Sequence, residues 1–227
     1  ELVNFLINWF DPKDYINVNT SGTTGNPKKI KILKTAMINS AKKSAQIFGL
    51  KENDRSLLCL PIKYIAGKMM VIRSLIIGLN MYTIEPNGSP LARNSKSYDF
   101  AAMVPSQVTK TIEHLNKVKK LLIGGAPVNK SIIDLINTKS TEVYETFGMT
   151  ETVSHIAIKN LSKGEKHFSA VPGATFGLKS GCLIISVPDL IKNTIVTNDV
   201  VELIDNKSFV WKGRKDFVIN CGGVKYF

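Results

Sequence analysis

The central part of the chain alternates short apolar runs with segments of helical periodicity. Runs of strand length, bounded by turn residues, occupy 56–60, 81–84, 100–104, 120–123 and 141–146. Helical segments occupy 65–79, 105–115 and 127–136, and the last two begin with a proline, which suits the first turn of a helix. Such alternation predicts an α/β fold, a mostly parallel sheet flanked by helices.

The ends of the chain have different patterns. Apolar residues at helical spacing predict a short helix over the first ten residues, and 15–19 and 29–33 alternate like the arms of a hairpin. Thr35 is the predicted N-cap of a helix that ends near Phe48. Helical periodicity disappears after Thr152, and glycines separate short β-like runs. We therefore divide the chain into an α/β portion at 1–152, a β-rich subdomain at 153–213 and a terminal segment at 214–227.

The charge balance narrows the classes of partner. Among 227 residues, 30 Lys and Arg outnumber 18 Asp and Glu, which favours anionic partners. The basic residues are scattered and are not interleaved with aromatic ones, so we expect no nucleic acid partner. No apolar run reaches the roughly 20 residues of a membrane helix, and the acidic residues near the start lead us to expect no signal peptide. These patterns, with three widely spaced cysteines and no CxxC motif, predict free thiols and a cytoplasmic location without a membrane partner.

Residues 20–28, with the sequence TSGTTGNPK, form the most informative stretch. Glycines permit close backbone approach, and backbone N–H groups, four hydroxyls and a lysine can together hold a polyphosphate. The pattern is not a Walker A loop, because Pro27 stands where G-x-x-x-x-G-K-S/T requires the second glycine. An ordinary hairpin turn is the alternative.

This stretch resembles the phosphate-binding loop S/T-S/T-G-S/T-S/T-G-x-P-K of the adenylate-forming superfamily, which includes acyl-CoA synthetases, adenylation domains and luciferases. Every position fits, and four further motifs follow in the superfamily's order. The resemblance covers almost the whole chain and implies the large N-terminal domain of such an enzyme. It also implies that the loop binds ATP through Thr20, Ser21, Gly22, Thr23, Thr24, Gly25 and Lys28.

Two of the further motifs follow predicted strands. The turn GGAP resembles the superfamily's adenine-pocket turn, and FGMTE resembles Y-G-x-T-E. The resemblance implies that Phe147 stacks on adenine, that Thr150 contacts the α-phosphate and that Glu151 holds Mg²⁺, for which a carboxylate oxygen is a suitable ligand. Lys28, Thr150 and Glu151 are the implied catalytic set. The implied nucleotide contacts in these motifs are Gly124, Gly125, Ala126, Pro127, Phe147, Gly148 and Thr150.

The other two motifs lie in the last part of the chain. T-N-D at 197–199 resembles T-G-D, which implies that Asp199 accepts hydrogen bonds from the ribose hydroxyls. G-R-K-D at 213–216 resembles G-R-x-D, which implies that Arg214 reaches ribose or phosphate and that Asp216 is a hinge. Superfamily members carry a C-terminal domain beyond the hinge that supplies a lysine. We expect this chain to lack that domain, to bind ATP and acyl-adenylate, and to perform adenylation poorly.

Three stretches, 60–73, 104–107 and 149–155, resemble the ligases that couple o-succinylbenzoate to coenzyme A in menaquinone biosynthesis. The resemblance implies ATP, Mg²⁺ and coenzyme A, and a small aromatic keto acid with two carboxylates. A cation must meet the second carboxylate. Lys68 and Arg73 are the candidates, and their spacing lets at most one of them face the pocket. The implied substrate residues are Tyr64, Lys68, Arg73, Ser106, Thr152, Ser154 and His155.

Several alternatives stay open. The chain could be another aryl or fatty acyl-CoA ligase, an adenylation domain, or a catalytically silent nucleotide-binding module. A nucleic-acid binder is supported by the net charge alone. His155 either contacts the ligand or packs in the core, and the protein could form a homodimer.

Overall fold

A computed structural model describes residues 1–19, 28–92, 95–217, 219–221 and 224–226. Five α-helices lie in the described part of the chain: α1 (Leu2–Phe10), α2 (Lys34–Phe48), α3 (Ile65–Ile77), α4 (Pro105–Thr111) and α5 (Lys130–Ile136). The strands in its first two thirds are β1 (Tyr15–Asn19), β2 (Lys29–Leu33), β3 (Arg55–Leu58), β4 (Asn80–Thr83), β5 (Tyr98–Met103), β6 (Val118–Ile123) and β7 (Glu142–Gly148). The later strands are β8 (His155–Asn160), β9 (Phe168–Ala170), β10 (Thr175–Lys179), β11 (Cys182–Ser186), β12 (Ile195–Asp205), β13 (Ser208–Arg214), β14 (Ile219–Cys221) and β15 (Val224–Tyr226).

Eleven of these strands form one sheet, in the order β10-β11-β12-β13-β9-β8-β7-β6-β5-β3-β4. The pairs from β4 to β7 are parallel, and every pair from β7 to β10 is antiparallel. The predicted parallel α/β part and β-rich part are therefore halves of one continuous sheet. Two antiparallel hairpins, β1–β2 and β14–β15, lie outside it.

Helices cover both faces of the parallel half. Successive strand residues point to opposite faces, so Leu122 joins the core beneath α2 and α3, whereas Leu121 joins the core beneath α4 and α5. The predicted α/β arrangement is confirmed. No helix of the described residues has the length and apolarity needed to cross a membrane.

Two predicted helix starts are wrong. Helix α2 begins at Lys34 after an extended Leu33, so Thr35 is not its N-cap. Helix α5 begins at Lys130 and not at Pro127, because the Asn129 side chain accepts a hydrogen bond from the Ile132 N–H and caps the first turn. This later start leaves residues 124–128 as a loop at the end of β6.

Two of the three cysteines, Cys59 and Cys182, are buried free thiols. Burial raises the pKa of the Cys59 thiol to about 12, so this thiol is kept in its protonated, unreactive form. The Cys221 side chain lies outside the described part of the chain.

Candidate functional site

Two of the predicted nucleotide motifs lie at the carboxyl ends of the parallel strands. The ends of β5, β6 and β7 are adjacent, since Met103 is in register with Ile123 and Ile123 with Glu145. The segments that leave these ends contain Ser106 in the first turn of α4, the 124–127 turn and residues 148–152. Ligands of open α/β sheets bind at the carboxyl ends of parallel strands, so the fold brings these motifs to the expected place.

The 124–127 turn fits closely against β7. A Cβ on Gly124 would lie 2.6 Å from the Thr146 Oγ1, and that hydroxyl donates to the Ile123 carbonyl over 3.0 Å. Gly125, Ala126 and Pro127 are exposed. The turn therefore presents open backbone beside β7, as a flat ring would require.

Residues 147–152 carry the second implied motif. Phe147 is half-buried, and its ring centroid lies 5.8 Å from that of Phe168 and 5.2 Å from that of Phe209. Thr150 is buried and Glu151 is exposed within one 3-10 turn. The Thr152 hydroxyl bonds the backbone of Met149 and Ser154 at 2.8–3.0 Å. Its hydrogen-bonding capacity is used within the turn, so the geometry gives no support to Thr152 as a direct substrate contact.

A strained residue follows this turn. Val153 has φ +69° and ψ −49°, and the Ser154 N–H donates to the Thr152 carbonyl over 2.8 Å. That geometry is a γ-turn, which is unfavourable for a β-branched residue. The γ-turn reverses the chain so that Ser154 and His155 enter β8 facing helix α3.

Arg73 of α3 meets these two residues in the interior. Its side chain donates to the Ser44 Oγ from Nε over 3.0 Å and to the Ser154 Oγ from Nη2 over 2.7 Å. Among the residues that the structure describes, Nη1 faces only a weak acceptor, the Met70 Sδ at 3.8 Å. Arg73 is 3% exposed, and no carboxylate of the described residues pairs with it. A buried guanidinium without a counter-ion is rare because its desolvation is uncompensated.

His155 completes the cluster as a neutral imidazole. Its Nδ1 lies 3.4 Å from the Arg73 Nη2 and its Nε2 lies 3.5 Å from the Ser44 Oγ. Arginine only donates, so Nδ1 accepts and the proton is on Nε2. Burial, and then the charge of Arg73, lower the pKa of His155 to about 3. The His155 ring is buried and packs 5.6 Å from that of Phe48, which favours the packing alternative of the two that the sequence left open.

We expect His155 to make stability depend on acidity. In the unfolded chain this histidine binds a proton as the pH falls through about 6.5, whereas in the fold it does so only near pH 3. Stability contributed by neutral His155 is therefore lost as the pH falls from about 6.5 towards 3, with a limiting slope of about 1.4 kcal/mol per pH unit. Urea denaturation at pH 7, 6 and 5 should show a shallower pH dependence in His155→Gln, while His167→Gln serves as the matched control. The same slope in wild type and His155→Gln would contradict the assignment.

The structure separates the two candidate cations. Lys68 is half-buried and donates to the Ile62 carbonyl over 2.5 Å, and its ammonium lies 5.2 Å from the Phe5 ring centroid. Burial lowers its pKa. It lines a cavity of about 310 Å³ next to α1 and β1, away from the residues that Arg73 contacts.

Tyr64 and Ser106 are exposed, and neither is among the hydrogen-bond partners of Arg73. In the 104–107 stretch the buried residue is Gln107, whose amide donates to the carbonyls of Cys59 and Asn87 over 3.1 and 2.8 Å. It therefore ties the start of α4 to the segments that follow β3 and β4.

The last two motifs face each other across β12 and β13. Asp199 is buried and in register with Arg214, whose Nη1 lies 3.8 Å from the Asp199 Oδ2. The Nη2 of Arg214 is 2.9 Å from the Asp216 Oδ2 and holds the pKa of that carboxyl below its ordinary value. Asn198, which replaces the superfamily's glycine, donates to both oxygens of Asp216 over 2.9 and 3.2 Å.

Part of the predicted site lies outside the described residues, namely Thr20, Ser21, Gly22, Thr23, Thr24 and Gly25. Lys28, which ends that loop, is described and exposed. Its backbone leads directly into β2.

Two residues near the site were not predicted. Ser44 accepts from Arg73, and Trp211 donates from its indole to the Asp199 Oδ1 over 3.0 Å. Ser40 and Ser44 are four residues apart on the buried face of α2. Paired serines on an otherwise apolar face are a signal that could have indicated a buried polar partner.

The chain belongs to the family described as AMP-binding enzyme, whose family model matches residues 7–178. Among its curated relatives are 2-succinylbenzoate--CoA ligases. The one from Geobacillus sp. (strain WCH70) is 33% identical over 147 residues, and the match covers 61% of this chain and 30% of that ligase. The one from Oceanobacillus iheyensis is 32% identical over 146 residues, and the match covers 60% of this chain and 30% of that ligase. The chain thus spans about 30% of the length of these relatives.

Solved structures agree with the family. An acyl-CoA synthetase (AMP-forming)/AMP-acid ligase II-like protein from Dyadobacter fermentans has a TM-score of 0.85 and 37% identity, over 98% of this chain and 66% of that one. O-succinylbenzoate Coenzyme A Synthetase from Bacillus subtilis, in complex with ATP and magnesium ion, has a TM-score of 0.79 and 21% identity, over 92% and 52%. The second likeness is one of fold alone. The predicted superfamily and fold class are confirmed.

Proposed function

We propose that this chain is part of an acid–thiol ligase that activates o-succinylbenzoate with ATP and transfers it to coenzyme A. In the first step a carboxylate oxygen of the acid attacks the α-phosphorus of ATP, and pyrophosphate leaves. In the second step the coenzyme A thiol loses its proton and attacks the acyl carbon, and AMP leaves. The relatives named 2-succinylbenzoate--CoA ligase support this substrate.

One observation in the fold carries the substrate proposal. Arg73 is a buried guanidinium without a carboxylate partner among the described residues, and two of its neighbours, Ser154 and His155, closely follow the turn that carries Thr150 and Glu151. A substrate with a second carboxylate would supply the missing charge. Of the two candidate cations we assign this role to Arg73, because Lys68 faces the α1 side of the molecule.

The nucleotide would lie along the loops after β6 and β7. In this proposal Phe147 and the 124–127 turn bind adenine, Asp199 and Arg214 bind the ribose, and Lys28 and Thr150 orient the phosphates. These groups act by positioning and by stabilising charge, as is usual in phosphoryl chemistry. The 20–25 loop is assigned to the phosphates from its resemblance alone.

Mg²⁺ fits the donor present at Glu151. No group of three or more His, Cys, Asp or Glu forms a metal cage in the described part of the chain. Mg²⁺ is commonly held by one or two carboxylates together with substrate phosphates, and it keeps several waters. An exposed carboxylate beside the phosphate site suits that mode, and the bound ion would neutralise phosphate charge.

Calorimetric titration with two stable adenylate mimics tests the function. One carries the o-succinylbenzoyl group, and the other carries benzoyl and lacks the second carboxylate. We expect this 227-residue chain to bind both and to prefer the first. Equal affinities for the two mimics would contradict the o-succinylbenzoate assignment and indicate the adenylate site of a general aryl or acyl ligase. If the chain bound neither mimic, the proposed function would be contradicted.

A further inference from the structure

Trp211 lies beside the carboxylate to which the proposed function assigns the ribose. Its Nε1 donates to the Asp199 Oδ1 over 3.0 Å, while the Arg214 guanidinium lies 3.8 Å from the Oδ2. The side chain of Asp199 is 6% exposed. The indole hydrogen bond and the charge of the nearby guanidinium therefore orient this buried carboxylate.

A β-bulge puts Trp211 on this face of the sheet. Along β12 and β13, Asp199 is opposite Arg214 and Val200 is opposite Gly213, but Val201 is opposite Trp211, so Lys212 is an extra residue. In an uninterrupted ladder Trp211 would be opposite the next residue of β12 and would point to the other face. The extra residue reverses that direction.

Gly213 supplies the backbone conformation of the bulge. It is buried and has φ +151°, which residues with a Cβ rarely adopt. The glycine of the G-R-K-D motif thus has a structural role in this bulge. It allows both Trp211 and Arg214 to face the same carboxylate.

We propose that Trp211 is a positioning residue for the ribose, acting through Asp199. The inference rests on the proposed function, because that function places the ribose hydroxyls on Asp199. A carboxylate can accept about four hydrogen bonds. The indole N–H occupies one of these acceptor sites on Asp199. It thereby orients the carboxylate so that the two ribose hydroxyls can donate to the remaining lone pairs.

The test compares AMP with 2′,3′-dideoxy-AMP, which lacks both ribose hydroxyls. We expect the wild-type chain to prefer AMP, and Trp211→Phe to weaken AMP binding ~10-fold while leaving dideoxy-AMP unchanged, given the usual strength of hydrogen bonds to charged groups. Trp9→Phe, at the other of the two tryptophans, should keep the wild-type preference. Circular dichroism and thermal melting report whether each variant is folded.

Tryptophan fluorescence tests the same proposal without substituting Trp211. In Trp9→Phe the remaining indole is Trp211, and its emission should change with AMP but not with dideoxy-AMP. Equal responses to both nucleotides, or a Trp211→Phe variant that retains the AMP preference or loses affinity for both equally, would overturn the proposal. A wild-type chain without any preference for AMP would instead overturn the ribose assignment of the proposed function, and this inference with it.

Discussion

Arg73→Met is expected to abolish the preference for the o-succinylbenzoyl mimic over the benzoyl mimic. Hydrogen bonds to charged groups contribute about 1.5–3 kcal/mol each, so the affinity of the variant for the o-succinylbenzoyl mimic should fall roughly 10- to 100-fold. The benzoyl mimic should bind the variant and the wild type equally well, because it has no second carboxylate to pair with Arg73. Calorimetry on the wild type and the variant, with both mimics, measures the difference.

The same substitution should not destabilise the protein. Burial lowers the pKa of Arg73 from its ordinary value to about 10, which means that the fold disfavours the charged form by roughly 3 kcal/mol. Methionine retains much of the volume and removes the charge. Against this gain, the hydroxyls of Ser44 and Ser154 each lose one donor. We expect the free energy of unfolding to stay unchanged or to rise by up to about 3 kcal/mol, as measured by urea denaturation.

Stability and binding together separate a binding role from a structural one. Arg55→Met is the matched control, because Arg55 is a partly exposed arginine whose Nε lies 3.5 Å from Asp99. It should change neither mimic's affinity. If Arg73→Met instead lost several kcal/mol of stability and weakened both mimics equally, Arg73 would be a structural residue and the second-carboxylate assignment would be wrong.

The sequence could not decide between Lys68 and Arg73, for a reason visible in α3. Every residue from Met69 to Ser74 in that helix is buried. A helix that is buried all round has no single apolar stripe, so periodicity does not reveal which side faces the site. The direction of each cation follows from tertiary packing against α1 on one side and against α2 and β8 on the other.

The local sequence patterns predicted the positions of the strands better than they predicted which strands pair with each other. The arms of the β1–β2 hairpin match the predicted residues, since alternation and turn chemistry are local signals. The continuity of the sheet was not predicted. It depends on β9 pairing with both β8 and β13, and the second of these strands lies some forty residues further along the chain. Likewise Trp211 reaches Asp199 only through a bulge, which no period-two pattern indicates.

Gly148→Ala is expected to damage both the fold and the site. A Cβ at this position would lie 2.3 Å from the Ser154 carbonyl oxygen and 2.7 Å from the His155 Cα. Both are backbone atoms, so the start of β8 must move, and overpacking of this kind typically costs about 1–3 kcal/mol. Urea denaturation measures that loss in the free energy of unfolding.

Glycine at this point is what lets β8 approach β7 closely enough for Ser154 to reach Arg73. The Ser154 Oγ is 2.7 Å from the Arg73 Nη2, so a displacement of a few tenths of an ångström lengthens that bond. We therefore expect Gly148→Ala to reduce both the free energy of unfolding and the preference for the o-succinylbenzoyl mimic. If the second carboxylate bound somewhere other than Arg73, the variant would lose stability but keep the preference. Gly177→Ala is the control, since its Cβ would meet nothing closer than 3.8 Å. Equal stability of the two alanine variants would contradict the close approach of the strands at Gly148.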